Sequence, residues 1–130
     1  MNTQPSITLT RHDVDRLNTM LDDERGGARH FLVERLEEEV RRARIVEPTA
    51  ASGVVTLNSR VEYENLESGQ RRVVELVLPS EAEPGRARLS VLTPLGCSLI
   101  GLRPGDTFTW DVGLHRWRLR VISVREVDAS

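Results

Sequence analysis

A chain of 130 residues, 38% hydrophobic and 29% charged, has the length and apolar content for one ordinary domain, with or without a small helical appendage, and is too short for two full-sized ones. Its net charge of −2 argues against a broad phosphate-binding surface and leaves room only for a local basic patch. All 18 basic residues are arginine, which excludes Schiff-base lysines and a Walker A phosphate loop.

The single cysteine, Cys97, rules out an intramolecular disulfide framework and a multi-cysteine zinc site, and a reducing cytoplasm is the expected setting. Met1 to Thr10 lacks the basic and apolar segments of a secretory leader, and no run of apolar residues is long enough to span a membrane.

Ile7 to Leu9 reads as a short strand. Thr10 followed by Asp13 has the spacing of a capping box and predicts a helix start. Val14, Leu17, Met20 and Leu21 then line one face, until Asp22-Asp23-Glu24-Arg25-Gly26-Gly27 stops the helix. From Ala28 the helical period returns, with Phe31, Leu32, Leu36, Val40 and Ala43 on one side. Glu37 with Arg41 and Glu38 with Arg42 are spaced as i,i+4 pairs. The two stripes predict a short antiparallel helical hairpin, coiled-coil-like, with an acidic tip and arms of roughly 16–25 Å.

Glu47 to Gly53 reads as a linker, after which the period changes to two. Val54–Leu57, Arg60–Asn65, Arg71–Leu78 and Arg88–Leu92 are strand candidates, with a turn at Glu67–Gln70. Thr93 as cap, Pro94 in the first helical position and Gly101 after the end predict a short helix over Pro94–Ile100. Thr107–Val112 and Arg116–Val124, joined near Gly113, complete the pattern. The expected fold is α+β: a hairpin over residues 1–47 and, over 48–130, an antiparallel sheet with one short helix.

Little in the chain points to catalysis. His12, His30 and His115 show no ligand spacing, and Gly96-Cys97-Ser98-Leu99-Ile100-Gly101 lacks the spacing of a nucleophile elbow, so no catalytic residue, cofactor or metal site is assigned. Arg116, Arg118 and Arg120 share one strand face, and the expectation is a solvated face balanced by carboxylates such as Glu62 and Glu64. Phe108, Trp110 and Trp117 are expected in the core rather than as a stacking platform. The acidic run Asp22, Asp23 and Glu24 opposes the helix macrodipole. It is either a solvated turn countered by Arg25 and Arg29, or a contact for a basic partner or a shared divalent ion.

Three phrases carry a family resemblance: Val55-Thr56-Leu57-Asn58-Ser59-Arg60-Val61, Leu89-Ser90-Val91-Leu92-Thr93-Pro94-Leu95-Gly96, and Leu99-Ile100-Gly101-Leu102-Arg103-Pro104-Gly105-Asp106. In combination they resemble the C-terminal domain of the GreA/GreB transcription factors. The Asn58-Ser59-Arg60-Val61 and Gly101-Leu102-Arg103 phrases, together with the short hairpin, are most similar to the Rnk branch, the regulators of nucleoside diphosphate kinase.

The resemblance implies an FKBP-like sheet around a short helix, and RNA polymerase as partner at the rim of its secondary channel. Thr93, Pro94 and Leu95 match the docking segment, and Asp22, Asp23 and Glu24 form the tip. The expected protein is a cytoplasmic, non-catalytic regulator that competes with Gre factors and affects nucleoside diphosphate kinase expression, with no direct sequence-specific nucleic-acid binding. The rival reading is stimulated transcript cleavage through the acidic tip. A prolyl isomerase is suggested by the implied fold alone.

Overall fold

The computed structural model describes residues 7–47, 53–112 and 114–126. The expectations for the first six residues, most of the Glu47–Gly53 linker, the Gly113 turn and the Trp110 side chain lie outside what is described. Strand β1 (Thr8–Thr10) leads directly into helix α1 (Arg11–Glu24), and helix α2 (His30–Arg42) leads out into strand β2 (Arg44–Val46). β2 pairs in parallel with β1, placing both roots of the helical pair at one ladder. The periodicity gave no sign of β2, because three residues are too few to show one.

Helix α1 buries Val14, Leu17, Met20 and Leu21, as its spacing predicts. Helix α2 buries Leu32, Val33 and Leu36, and Phe31 is 66% exposed rather than part of the apolar stripe. At 3.6 residues per turn, Phe31 sits roughly 140° around the helix from Leu36, and Val33 fills the stripe instead. The expected i,i+4 pairs are also replaced. Arg41 meets Glu38 at 2.9 Å, Arg42 meets Glu39 at 2.6 Å, and Glu37 reaches across to Arg25 at 2.8 Å.

The main sheet has the order β5-β4-β3-β7-β6, with β3 Ser59–Asn65, β4 Arg71–Val77, β5 Arg88–Ser90, β6 Thr107–Val112 and β7 His115–Glu126. Its pairings are antiparallel except β4 with β5, which run parallel because the chain crosses between them through 3-10 turns at Pro79–Glu81 and Pro84–Arg86. β5 is shorter than expected, ending before Leu92. Val54–Leu57 is not a strand. Its alternation reflects burial of Val54, Val55 and Leu57 in a loop held by Val55 N–H to Leu102 O and Gly101 N–H to Val55 O, both 2.8 Å.

Helix α3 (Pro94–Leu99) packs beside β6. The buried cluster runs through both halves of the sequence, from Leu9, Leu17, Leu21 and Leu36 to Leu76, Leu92, Leu99 and Leu119.

One junction fixes how the helical pair sits. Thr10 caps α1 by accepting from Asp13 N–H at 3.1 Å, but the reciprocal half of the expected capping box is absent. The Asp13 carboxylate instead accepts from Leu57 N–H at 3.0 Å, and Arg16 donates to Asn58 Oδ1 at 2.9 Å. Asn58 adopts φ +68°, a conformation asparagine tolerates better than most residues. Its neighbour Ser59 ties the same turn, donating to Thr56 O and accepting from Thr56 N–H.

Asp13 is 3% exposed, and burial raises its carboxyl above the ordinary 3.8, against the opposing pull of the Leu57 N–H and Arg16. A raised folded value means that this group stabilises the fold most below its ordinary value and loses that contribution as pH climbs through the raised one. Asp13→Asn removes the ionisation and keeps an acceptor for Leu57. In urea titrations its stability relative to the parent should therefore improve as pH rises from about 4. Asp13→Ala, which orphans the buried Leu57 N–H, should cost about 1–3 kcal/mol more than Asp13→Asn across the same pH range. A second expectation concerns Gly96, where an added Cβ would meet Ser90 O at 2.2 Å and Val91 Cα at 2.8 Å, both backbone. Gly96→Ala should lose about 1–3 kcal/mol, whereas Gly85→Ala, facing open space, should be close to neutral in the same titration.

Candidate functional site

The α3 entry is a rigidly built corner. The Thr93 hydroxyl donates to Ser90 O at 2.8 Å and accepts from Gly96 N–H at 3.0 Å, so it is consumed in holding the turn. Pro94 occupies the first helical turn and is exposed. Leu95 points inward at 8% exposure. Of the three residues expected to dock, Pro94 therefore offers surface, Thr93 sets its position, and Leu95 anchors the corner from below. Gly96 permits the close approach of Ser90 and Val91 described above.

The acidic turn lies at the other end of the helical pair. Asp22 meets Arg25 at 3.1 Å and Glu24 meets Arg29 at 3.2 Å, so the local arginines do serve as counter-charges. Asp23 faces an open groove of about 470 Å³ between α1 and the Leu78–Ser80 segment, which His12, Asp15 and Thr19 also line. Among the described residues no three carboxylate, histidine or cysteine side chains converge as a metal-binding group. No hydrogen bond or ion pair among the described residues joins this turn to the α3 corner. They are two separate surfaces on one frame.

Two further features were not foreseen. Phe31 presents its ring to solvent in the first turn of α2, beside the acidic turn. Arg35, midway along α2, donates to Ser98 Oγ in α3 at 2.7 Å, and Ser98 donates in turn to Pro94 O at 2.9 Å. A chain of hydrogen bonds thus runs from the helical pair to the α3 corner. Neither a 63-residue separation nor a serine in an apolar run marks such a contact in sequence.

The remaining candidates behave as ordinary side chains. Cys97 donates to Val91 O at 3.3 Å, and burial pushes its thiol up to about 11, so it is not a nucleophile at neutral pH. His30 pairs with Glu34 at 2.9 Å and His115 with Glu67 at 3.5 Å, both exposed. Phe108 is buried, and Trp117 is half-buried against the core. The alternation along β7 is as expected, with Arg116, Arg118 and Arg120 outward and Leu119 and Val121 buried. Of the carboxylates named as their balance, Glu64 stands opposite Arg120 in the strand register and lies 3.9 Å from Arg71, and Glu62 stands opposite Ser123, from which it accepts at 3.4 Å. Among the described residues no helix is long and apolar enough to cross a membrane.

Comparison with known proteins matches residues 47–126 to the C-terminal family of transcription elongation factors GreA/GreB, and residues 5–46 to the Rnk N-terminus. The chain is 34% identical over 110 residues to the regulator of nucleoside diphosphate kinase of Escherichia coli, covering 84% of this chain and 80% of that one. It is 30% identical over 94 residues to transcription elongation factor GreA of Treponema pallidum, of whose length it spans 58%. Among solved structures, a prokaryotic GreA/GreB elongation factor from Nitrosomonas europaea superposes with a TM-score of 0.75 at 30% identity, covering 94% of this chain and 99% of that one. GreA factor homolog 1 of Thermus thermophilus follows at 0.50 and 27%, over 93% of this chain. The Rnk N-terminus and GreA/GreB C-terminal matches together span residues 5–126, and the chain belongs to the GreA/GreB transcription factor family, in its Rnk branch.

Proposed function

We propose that this chain is a non-catalytic transcription regulator that binds RNA polymerase at the rim of its secondary channel and competes there with Gre-type factors. The observation that carries the reading is the family match over residues 47–126, which includes the α3 corner. In this reading residues 48–130 form the FKBP-like docking domain, with Pro94 as its contact and Thr93 and Leu95 as its supports. Residues 1–47 form the coiled-coil-like hairpin that stands at the channel entrance. Control of nucleoside diphosphate kinase, the role named for the Escherichia coli relative, would follow from altered transcription.

The hairpin length supports occlusion over catalysis. α1 has 14 residues and α2 has 13, about 20 Å of helix at 1.5 Å per residue. Two of the three tip carboxylates are engaged by Arg25 and Arg29, which leaves them poorly placed to share a metal ion. The exposed Phe31 ring beside them suits a packing contact with a partner, aromatic side chains being frequent interface anchors.

Backtracked elongation complexes, with and without a GreA-type factor, test this directly. The chain should slow transcript cleavage by the added factor and produce none alone. Pro94→Asp should weaken that inhibition about tenfold while the circular dichroism spectrum is unchanged. Asp22→Asn and Glu24→Gln should shift it less than about threefold. Cleavage by the chain alone, abolished by either tip substitution, would establish the catalytic rival instead.

A further inference from the structure

A second concave site lies on the inner sheet face, near the Leu66–Gln70 turn that joins β3 to β4. It is a recess of about 500 Å³, lined by Tyr63, Asn65, Ser68, Gln70, Arg72 and Trp117, with Leu119 at its floor. That volume is within the range of small-molecule sites. Strand register builds it. Tyr63 stands directly opposite Arg72, and Asn65 opposite Leu119, two residues along β7 from Trp117.

The lining is a set of donors around a flat apolar wall. Tyr63 is 7% exposed as a residue, and its phenol oxygen makes no hydrogen bond among the described residues but keeps contact with solvent. That hydroxyl is therefore available, as donor or acceptor, to a group that enters the recess. The Arg72 guanidinium makes no ion pair among the described residues, and it acts electrostatically on the Tyr63 phenol. Asn65 Oδ1 is occupied by Glu67 N–H and Ser68 N–H, which leaves its amide hydrogens as the free donors, and Ser68 Oγ already accepts from Gln70 N–H. No carboxylate belongs to the lining, and the nearby Glu67 is turned to His115 at 3.5 Å. The His115 ring lies 3.9 Å from the Trp117 ring, tilted 48°, and braces the indole from one side.

A guanidinium, a solvent-facing phenol hydroxyl and free amide donors select an anion, and an indole beside a leucine floor selects a planar ring. We infer that the recess binds a mononucleotide, with the base against Trp117 and the phosphate at Arg72 and the Tyr63 hydroxyl. The nucleotide is either free or the terminal unit of a single-stranded RNA. The inference does not depend on polymerase binding, since the recess is built from β3, β4, β7 and the turn between the first two.

Isothermal titration of the full chain with AMP, GMP, guanosine, inorganic phosphate and a short single-stranded oligoribonucleotide tests it. A nucleoside monophosphate should bind saturably, and guanosine and phosphate alone should each bind at least about tenfold more weakly. Arg72→Gln and Tyr63→Phe should each weaken nucleotide binding about tenfold with an unchanged circular dichroism spectrum. Arg118→Gln, on the opposite sheet face, should leave it unaltered. Tighter binding of the oligoribonucleotide, lost with Arg72→Gln, identifies an RNA end as the source, and equal or weaker binding identifies the free nucleotide. Absence of binding by both at low millimolar concentration, or binding indifferent to Arg72→Gln and Tyr63→Phe, would overturn the inference.

Discussion

A single carboxylate buried under a backbone N–H sets the geometry on which the other contacts depend. Asp13 belongs to the first turn of α1, and the group it accepts from, Leu57 N–H, lies 44 residues further along the chain. Taking a carboxylate out of water is costly unless it is hydrogen-bonded, so this pairing tolerates little displacement of α1. The neighbouring contacts follow the same line. Arg16 reaches Asn58, Thr8 N–H donates to Gly101 O at 3.1 Å, and Arg35 reaches Ser98. At Gly101, with φ +82°, a Cβ would lie 2.7 Å from that of Ile7, so the first strand packs where no side chain fits.

These contacts give the helical pair one orientation relative to the α3 corner. In the proposed mode of action that rigidity has a function. A regulator that touches one large partner at two separated places loses less entropy on binding if the spacing is already set. The Arg35–Ser98–Pro94 hydrogen bonds run directly between the parts concerned. The ion pairs of the turn, Asp22 with Arg25 and Glu24 with Arg29, similarly fix the tip at little net energetic gain, since exposed pairs contribute small amounts. The fold thus supplies geometry more than chemistry, in keeping with a binding role.

Local rules were legible where local physics decided the outcome. The 3.6 period located both long helices, and Thr93-Pro94 with Gly101 bracketed α3 to within a residue. The larger failures were tertiary. Asp13 looked like half of a capping box because nothing local reveals a distant N–H. Val54–Leu57 alternates like a strand although it is a buried loop, and β4 and β5 pair in parallel through a crossover with no sequence period of its own. Phe31 was misplaced because one apolar residue beside a stripe is hard to assign to it. Of the α3 corner, sequence singled out Thr93, Pro94 and Leu95 for docking through family resemblance alone. That they divide into a turn-former, an exposed residue and a buried support is visible only in three dimensions.

The central claim is that this chain occupies a site on RNA polymerase that Gre-type factors also use. Equilibrium binding of the fluorescently labelled full chain to core RNA polymerase, followed by anisotropy and then challenged with unlabelled GreA-type factor, tests that claim most directly. The account predicts saturable binding at micromolar concentration or below, with complete and competitive displacement by the added factor. Binding that the factor leaves untouched even in large excess, or no binding at all, would contradict it.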